Sequence, residues 1–308
     1  MSKYFNQSRR QSLDGSMTDR EIEQVEFRRD LEDVTKSYVV TEERPVPRLG
    51  ECRKILLPKT EASHLIFSQV DIPAVVLESY RALRTRLLRA QGVQGLRSVV
   101  LSSAVAGEGK TLTSINLAIC CARLHDFRVL VVDSDLRTRG LTRILGDPGG
   151  PGLSDLLAGR AQYDEAILAT DCPNLYAISA GTTPADASEL YSGNRWKELI
   201  SRCNGVFQLV LVDSPPVLPV ADFEQIVSVC DGVLVVVRAQ RTNREMLKKM
   251  AARIDLKKLV GVIFNGASSD QLKEYEIDYS TGYTGAPSSD ANNGQTHTVE
   301  LDGTETTE

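Results

Sequence analysis

The sequence has no uninterrupted apolar run of about 18 residues, the length that a membrane-crossing helix requires, so none is predicted. Residues 1–20 hold no apolar core of a secretory leader, and none is expected there. The six cysteines, Cys52, Cys120, Cys121, Cys172, Cys203 and Cys230, form no C-x-x-C pair. They read as free thiols of a reducing compartment and not as a metal site, which predicts a cytoplasmic protein. Positive charge is not in excess. The 36 basic and 41 acidic residues give a net −5, so no bulk field argues for a nucleic-acid partner. No internal repeat is visible.

What is present is an ordinary globular composition. The chain has 308 residues, 42% hydrophobic and 25% charged, which excludes a wholly disordered protein and is long enough for a sizeable core. Composition shifts twice along it. Residues 1–74 are polar and read as an arm or linker. Within the arm, Thr18 and Glu21 form a capping box, and Phe27, Leu31, Val34 and Tyr38 make an amphipathic stripe, so one helix is possible there; a disordered arm fits equally well. Two prolines break the segment 41–50 into linker.

Residues 75–273 form the expected domain. Short apolar runs at 98–102, 128–132, 175–179, 209–212, 233–237 and 260–264 alternate with helical patterns. Most are continuously apolar, as strands buried on both faces are. The pattern predicts an α/β fold with a mostly parallel sheet flanked by helices on both faces. One helix is expected to open at Lys110 and bury Ile115, Ala118, Ile119 and Ala122. Another is expected to be capped by Thr242 with Glu245 and to carry Met246, Met250 and Ile254 on one stripe. Residues 274–308 read as a tyrosine-bearing tail, its last part too polar to offset the entropy of ordering.

The strongest local signal is AVAGEGKT, Ala104 to Thr111, between a predicted strand and a predicted helix. This is the setting of a phosphate-binding loop. Gly107 and Gly109 let the backbone amides turn toward an anion, and the helix N-terminus adds its dipole. Ala106, Gly107, Glu108, Gly109, Lys110, Thr111 and Leu112 are therefore candidate ATP-binding residues. Lys110 would reach the β- and γ-phosphates and Thr111 would ligate Mg²⁺. Ala104 stands where the strict pattern has glycine, and a glycine-rich turn with a surface lysine is the plainer alternative.

Two strand ends add carboxylates. One run ends in Asp133-Ser134-Asp135 and another in Asp213-Ser214-Pro215-Pro216. In a parallel sheet both lie on the edge that carries the phosphate loop. Asp213 and Asp133 are candidate metal groups, and Asp133 or Asp135 a candidate catalytic base. A strand-terminal Asp can also simply cap a turn.

These motifs together resemble the bacterial tyrosine autokinases of capsule and exopolysaccharide systems, in the partition-ATPase branch of P-loop proteins. The resemblance rests on SSAVAGEGKTLTSINLA, VLVVDSDLR and LVLVDSPPVLPVAD, with GLSDLLAG and GVIFN, and spans roughly residues 75–283. It implies a P-loop NTPase fold, ATP and Mg²⁺, and an Asn265 that touches adenine. Glu78, Arg81 and Arg84 match the family's E-x-x-R-x-x-R oligomerisation motif. They fall at steps of three on one helix face, although intrahelical pairing in a solvated face is the alternative.

Tyr275, Tyr279 and Tyr283 match the C-terminal autophosphorylation cluster of the family, although a last helix burying one of them is also possible. The resemblance further implies a homo-oligomer in which one subunit's tail enters its neighbour's site. It also implies a separate membrane chain-length regulator or adaptor that recruits the kinase to the inner face of the membrane, and an opposing tyrosine phosphatase. The alternative function is a partition-type ATPase switch without kinase activity. Against it, Val105 stands where that group has its signature lysine, and no lysine or arginine lies between Ser98 and Lys110. Arg137-Thr-Arg139-Gly140 and GTTPADASEL depart from family runs, and both are expected on loops.

Overall fold

Eight strands share one sheet. They are β1 (Arg53–Ile55), β2 (Ser98–Ser103), β3 (Val129–Asp133), β4 (Ile167–Thr170), β5 (Leu175–Ile178), β6 (Leu209–Asp213), β7 (Gly232–Arg238) and β8 (Leu259–Asn265). The computed structural model describes residues 49–59, 65, 74–147 and 149–267. Across the sheet the order is β1-β4-β5-β3-β6-β2-β7-β8. From β5 to β8 all neighbours are parallel. β4 runs antiparallel to β5, and β1 is parallel to β4, so the two strands at that edge are reversed.

Parallel neighbours need crossovers, and helices supply them. They are α1 (Ala74–Gln94), α2 (Lys110–Ala122), α3 (Gly140–Leu145), α4 (Leu153–Ala158), α5 (Tyr163–Ala166), α6 (Ala187–Ser192), α7 (Asn194–Val206), α8 (Asp222–Ser228) and α9 (Arg244–Ala251). Every residue of β2, β3 and β6 is buried, because helices cover both faces. Side chains alternate between two cores. Val100, Val132 and Val212 face Trp196, Phe207 and Phe223 on one side. Val99, Val131 and Leu211 face Ile115 and Leu117 of α2 and Leu87 of α1 on the other. Ile115, Ala118, Ile119 and Ala122 are all buried, as expected.

Two strands were not expected. β1 has three residues and β4 four, too few for a periodic signal. β1 also moves the start of the sheet ahead of residue 75, into the segment read as linker. It is held there by Arg53 Nη1, which donates to Gly149 O at 2.8 Å. Just beyond it, Leu57 N donates to Asp171 Oδ1 at 3.0 Å.

The cap of α9 is also corrected. Asn243, not Thr242, caps it, its Oδ1 accepting from Met246 N at 2.8 Å. The stripe below is as expected, with Met250 and Ile254 buried and Met246 packed on them. Asp186 and Ala187, expected on a loop, instead cap and open α6, with Asp186 Oδ1 accepting from Ser188 N at 2.8 Å. The stripe at 27–38 and the tail tyrosines lie outside the described residues. Among those described, no helix is long and apolar enough to cross a membrane.

Candidate active site

β2 runs into the loop 104–109, and α2 starts at Lys110. The turn needs glycine at two places, because Gly107 and Gly109 have φ of 83° and 93°. At Gly109 a β-carbon would come 2.0 Å from Asn265 Nδ2. That amide donates to Glu108 O at 2.8 Å, so the end of β8 touches the loop. The Glu108 side chain is buried under the loop, accepting from Val105 N at 3.1 Å and bonded to the Thr242 hydroxyl. On the outside, Arg238 Nη1 donates to Gly107 O at 3.2 Å and Arg241 Nη1 to the same oxygen at 3.4 Å.

β3 and β6 are neighbours in register, and their last residues, Asp133 and Asp213, are partners. Lys110 rises from α2 between them. Its Nζ is 3.1 Å from Asp135 Oδ2 and 3.9 Å from Asp213 Oδ2, and all three side chains are buried. A buried ammonium is tolerated only because carboxylates surround it. Thr111 Oγ1 accepts from Lys110 Nζ at 3.3 Å. Asp213 Oδ1 accepts from Ser114 Oγ at 3.2 Å, whereas its buried Oδ2 accepts no hydrogen bond of standard geometry among the described residues. Asp133 Oδ2 accepts from both the amide and the hydroxyl of Thr142, each at 2.7 Å. Its Oδ1 accepts from Asp135 N at 3.3 Å.

The charges separate these carboxyls. Burial lowers the proton affinity of Lys110, but Asp213 and Asp135 outweigh it and its pKa rises. Burial also works to raise Asp135, yet Lys110 and the Thr138 hydrogen bond hold it low, so Asp135 is the ionised partner of the lysine. Asp133 is pushed up to about 7, by burial first and then by the charge of Asp213, against the Thr142 hydrogen bonds. Asp213 is raised by burial, with Lys110 and Thr111 opposing. The edge therefore holds a neutral-pH proton acceptor beside a fixed ion pair.

A cleft of about 810 Å³ opens here, lined by Ala106, Gly107, Gly109, Lys110, Thr111, Leu112 and Asp135 among others. The structure thus gathers the expected loop residues, the three aspartates and Asn265. Thr142, Ser114, Thr242 and the arginines at 238 and 241 were missed. Ser114 alone had a signal, one helical turn beyond Lys110.

Glu78, Arg81 and Arg84 sit on α1, which packs on α2. They do not form one open stripe. Arg81 pairs with Glu78 of its own helix, both exposed. Arg84 Nη1 turns inward and donates to Cys120 O of α2 at 3.0 Å.

A phosphate loop at a strand–helix junction, faced by strand-terminal carboxylates on the same sheet edge, defines a P-loop nucleotide-binding protein. Residues 96–260 match the AAA domain family. The chain is 31% identical over 200 residues to the tyrosine-protein kinase YwqD of Bacillus subtilis (strain 168), covering 64% of this chain and 84% of that one. It is 34% identical over 234 residues to the putative tyrosine-protein kinase EpsB of Ralstonia solanacearum, covering 74% of this chain but 30% of that much longer relative. Among solved structures, the BceF tyrosine kinase domain superposes with a TM-score of 0.57 at 33% identity, covering 62% of this chain and 77% of that one. The chain belongs to the bacterial tyrosine-protein kinases of the AAA domain family.

Proposed function

We propose that the chain is an ATP-dependent tyrosine autokinase whose acceptors are Tyr275, Tyr279 and Tyr283. The observation that carries the reading is the Lys110 ammonium, fixed between Asp135 and Asp213 where α2 leaves the phosphate loop. The amides of residues 107–111 bind the triphosphate, and Lys110 moves from its carboxylates toward the γ-phosphate. The tyrosine oxygen forms a bond to the γ-phosphorus as the bond to the leaving ADP oxygen breaks. The phenolic proton passes to Asp133, whose pKa of about 7 suits a base at neutral pH. Its Oδ1, which among the described residues accepts only the 3.3 Å contact from Asp135 N, is the oxygen available for it. Asp135, lining the cleft and ionised, orients the incoming hydroxyl.

Mg²⁺ fits the donor set because Asp213 Oδ2 is buried without a hydrogen bond. Among the described residues no three His, Cys, Asp or Glu side chains could hold an ion together. Thr111 and Asp213, with Asp133 behind, would hold it. Such an ion would neutralise negative charge on the phosphates.

The described chain ends at Ala267, two residues past Asn265, which touches the loop. We assign the acceptor tail to a neighbouring subunit, in a homo-oligomer that uses Glu78, Arg81 and Arg84. A separate membrane regulator or adaptor and a tyrosine phosphatase complete a system for capsule or exopolysaccharide synthesis at the inner face of the membrane.

The test is incubation of purified protein with Mg·ATP, a phosphotyrosine blot and mapping by mass spectrometry. Modified Tyr275, Tyr279 or Tyr283 in the native chain, and none in Lys110→Met, is expected. ATP hydrolysis without phosphotyrosine would favour a partition-type switch instead.

A further inference from the structure

The cleft has a second end that the nucleotide machinery does not use. Beyond the phosphate loop, Arg143 and Ile144 of α3 line it together with Pro215, Pro216 and Pro219, which follow β6. Arg143 and Ile144 follow β3 and the prolines follow β6, whereas Asn265 ends β8 on the other side of β2, so this end lies away from the side where β8 meets the loop. Apolar side chains and two arginines line this part. Arg137 is one of them, tied through Nε to the buried Asp222 at 3.0 Å. Arg143 is exposed and makes no ion pair or side-chain hydrogen bond among the described residues.

The charge of the chain is divided in a matching way. Residues 268–308 contain nine carboxylates and a single lysine, a net −8, which leaves +3 on residues 1–267 of a chain whose total is −5. Around the tyrosines the acids are adjacent: Glu274 and Glu276 flank Tyr275, and Asp278 precedes Tyr279.

Resting on the kinase reading above, we propose that this end of the cleft is the acceptor subsite. Arg143, beside Arg137, selects tyrosines with acidic neighbours, and Ile144 and the prolines receive the phenol ring. The substrate class is an acidic tyrosine peptide, here residues 274–279 of this chain. An arginine at a rim attracts such a segment and fixes its register more than it adds to the overall affinity. Once one tyrosine is modified, its added negative charge strengthens the hold of the same arginine on the remaining tail.

The test is the initial rate of autophosphorylation of the full chain, at limiting enzyme and saturating Mg·ATP, with ATP affinity measured separately by nucleotide titration. Arg143→Ala should slow phosphotyrosine formation roughly fivefold, the size of an exposed ion pair near 1 kcal/mol. Neutralising the tail (Glu274→Gln, Glu276→Gln, Asp278→Asn) should slow it equally. The two changes combined should be no slower than either alone. A charge exchange, Arg143→Glu with Glu274→Lys and Glu276→Lys, should recover most of the rate that Arg143→Glu loses. Unchanged rates, additive losses or no recovery overturn the proposal. So does a fall in ATP affinity in step with the rate, which would make Arg143 a nucleotide contact. If the unsubstituted chain makes no phosphotyrosine, the kinase reading itself fails, and the subsite with it.

Discussion

Lys110 Nζ stands 3.1 Å from Asp135 Oδ2, a buried contact between the first residue of α2 and the turn that follows β3. The lysine that would grip a triphosphate is held by a carboxylate from the next motif. Contacts within the fold therefore set the loop and the β3 terminus relative to each other, so the cost of ordering them falls largely on folding.

Lys110→Met removes the cation and leaves Asp135 and Asp213 buried together. We expect loss of phosphotyrosine beyond detection and a melting temperature that drops further as pH rises, because the two buried acids then lose the cation that balances their charge. Replacing Tyr275, Tyr279 and Tyr283 with Phe should remove phosphotyrosine while ATP titration gives an unchanged affinity. The blot and a pair of melting curves at pH 6 and pH 8 check both.

Asp133 gives a pH signature. Unfolded, its carboxyl titrates near ~4, whereas in the fold it titrates at about 7. Between these values the folded state holds a proton that the unfolded state has lost, so stability falls as pH rises through that window. Thermal melts of the nucleotide-free protein from pH 5 to pH 8 should show this decline, and Asp133→Asn should flatten it. Phosphotransfer should run the other way, rising through pH 7 as the base loses its proton. A flat rate profile there would remove Asp133 from that role.

Thr242 positions the loop through Glu108, to whose side chain it is hydrogen-bonded. Thr242→Val should leave a buried carboxylate oxygen without its partner, at about 1–3 kcal/mol. ATP affinity should weaken by roughly tenfold, and Thr242→Ser should restore it. A purely structural hydroxyl would lower the melting temperature without this change in nucleotide titration.

Trp196 tests the core away from the site. It is 1% exposed, donates from Nε1 to Ile226 O at 3.1 Å and meets Tyr191 edge to face. Trp196→Ala should cost about 3–5 kcal/mol in urea unfolding. Tyr191 in turn donates to Ser134 O at 2.7 Å, between the two aspartates of its motif. Activity should therefore fall in this variant even at temperatures where it remains folded.

Six strands could be read from the sequence because each is an apolar run; five of them lie inside the sheet, and β8 is its half-exposed edge. β1 and β4 could not, because runs of three and four residues carry no period. The chemistry of the site was legible where it is local. Lys110 lies in a loop pattern, and the three aspartates lie at strand ends that a parallel sheet brings to one edge. Thr142 and Thr242 were invisible because their partners, Asp133 and Glu108, are joined to them only by the fold. Thr242 was even assigned a different task, capping α9, because side chains of Thr and Asn compete for that position and sequence alone does not say which wins. The α1 stripe shows a further limit. Helical spacing identifies a shared face but not its neighbour, and for Arg84 that neighbour is Cys120 O within the same chain.

The contact between Gly109 and Asn265 has a consequence for inheritance. A β-carbon at 109 would fall on the amide of 265, and the backbone there already has a φ that side chains resist. Alanine at 109 would have to push that amide aside and still hold an unfavourable backbone, so of the two sites it is the glycine that heredity can least afford to change.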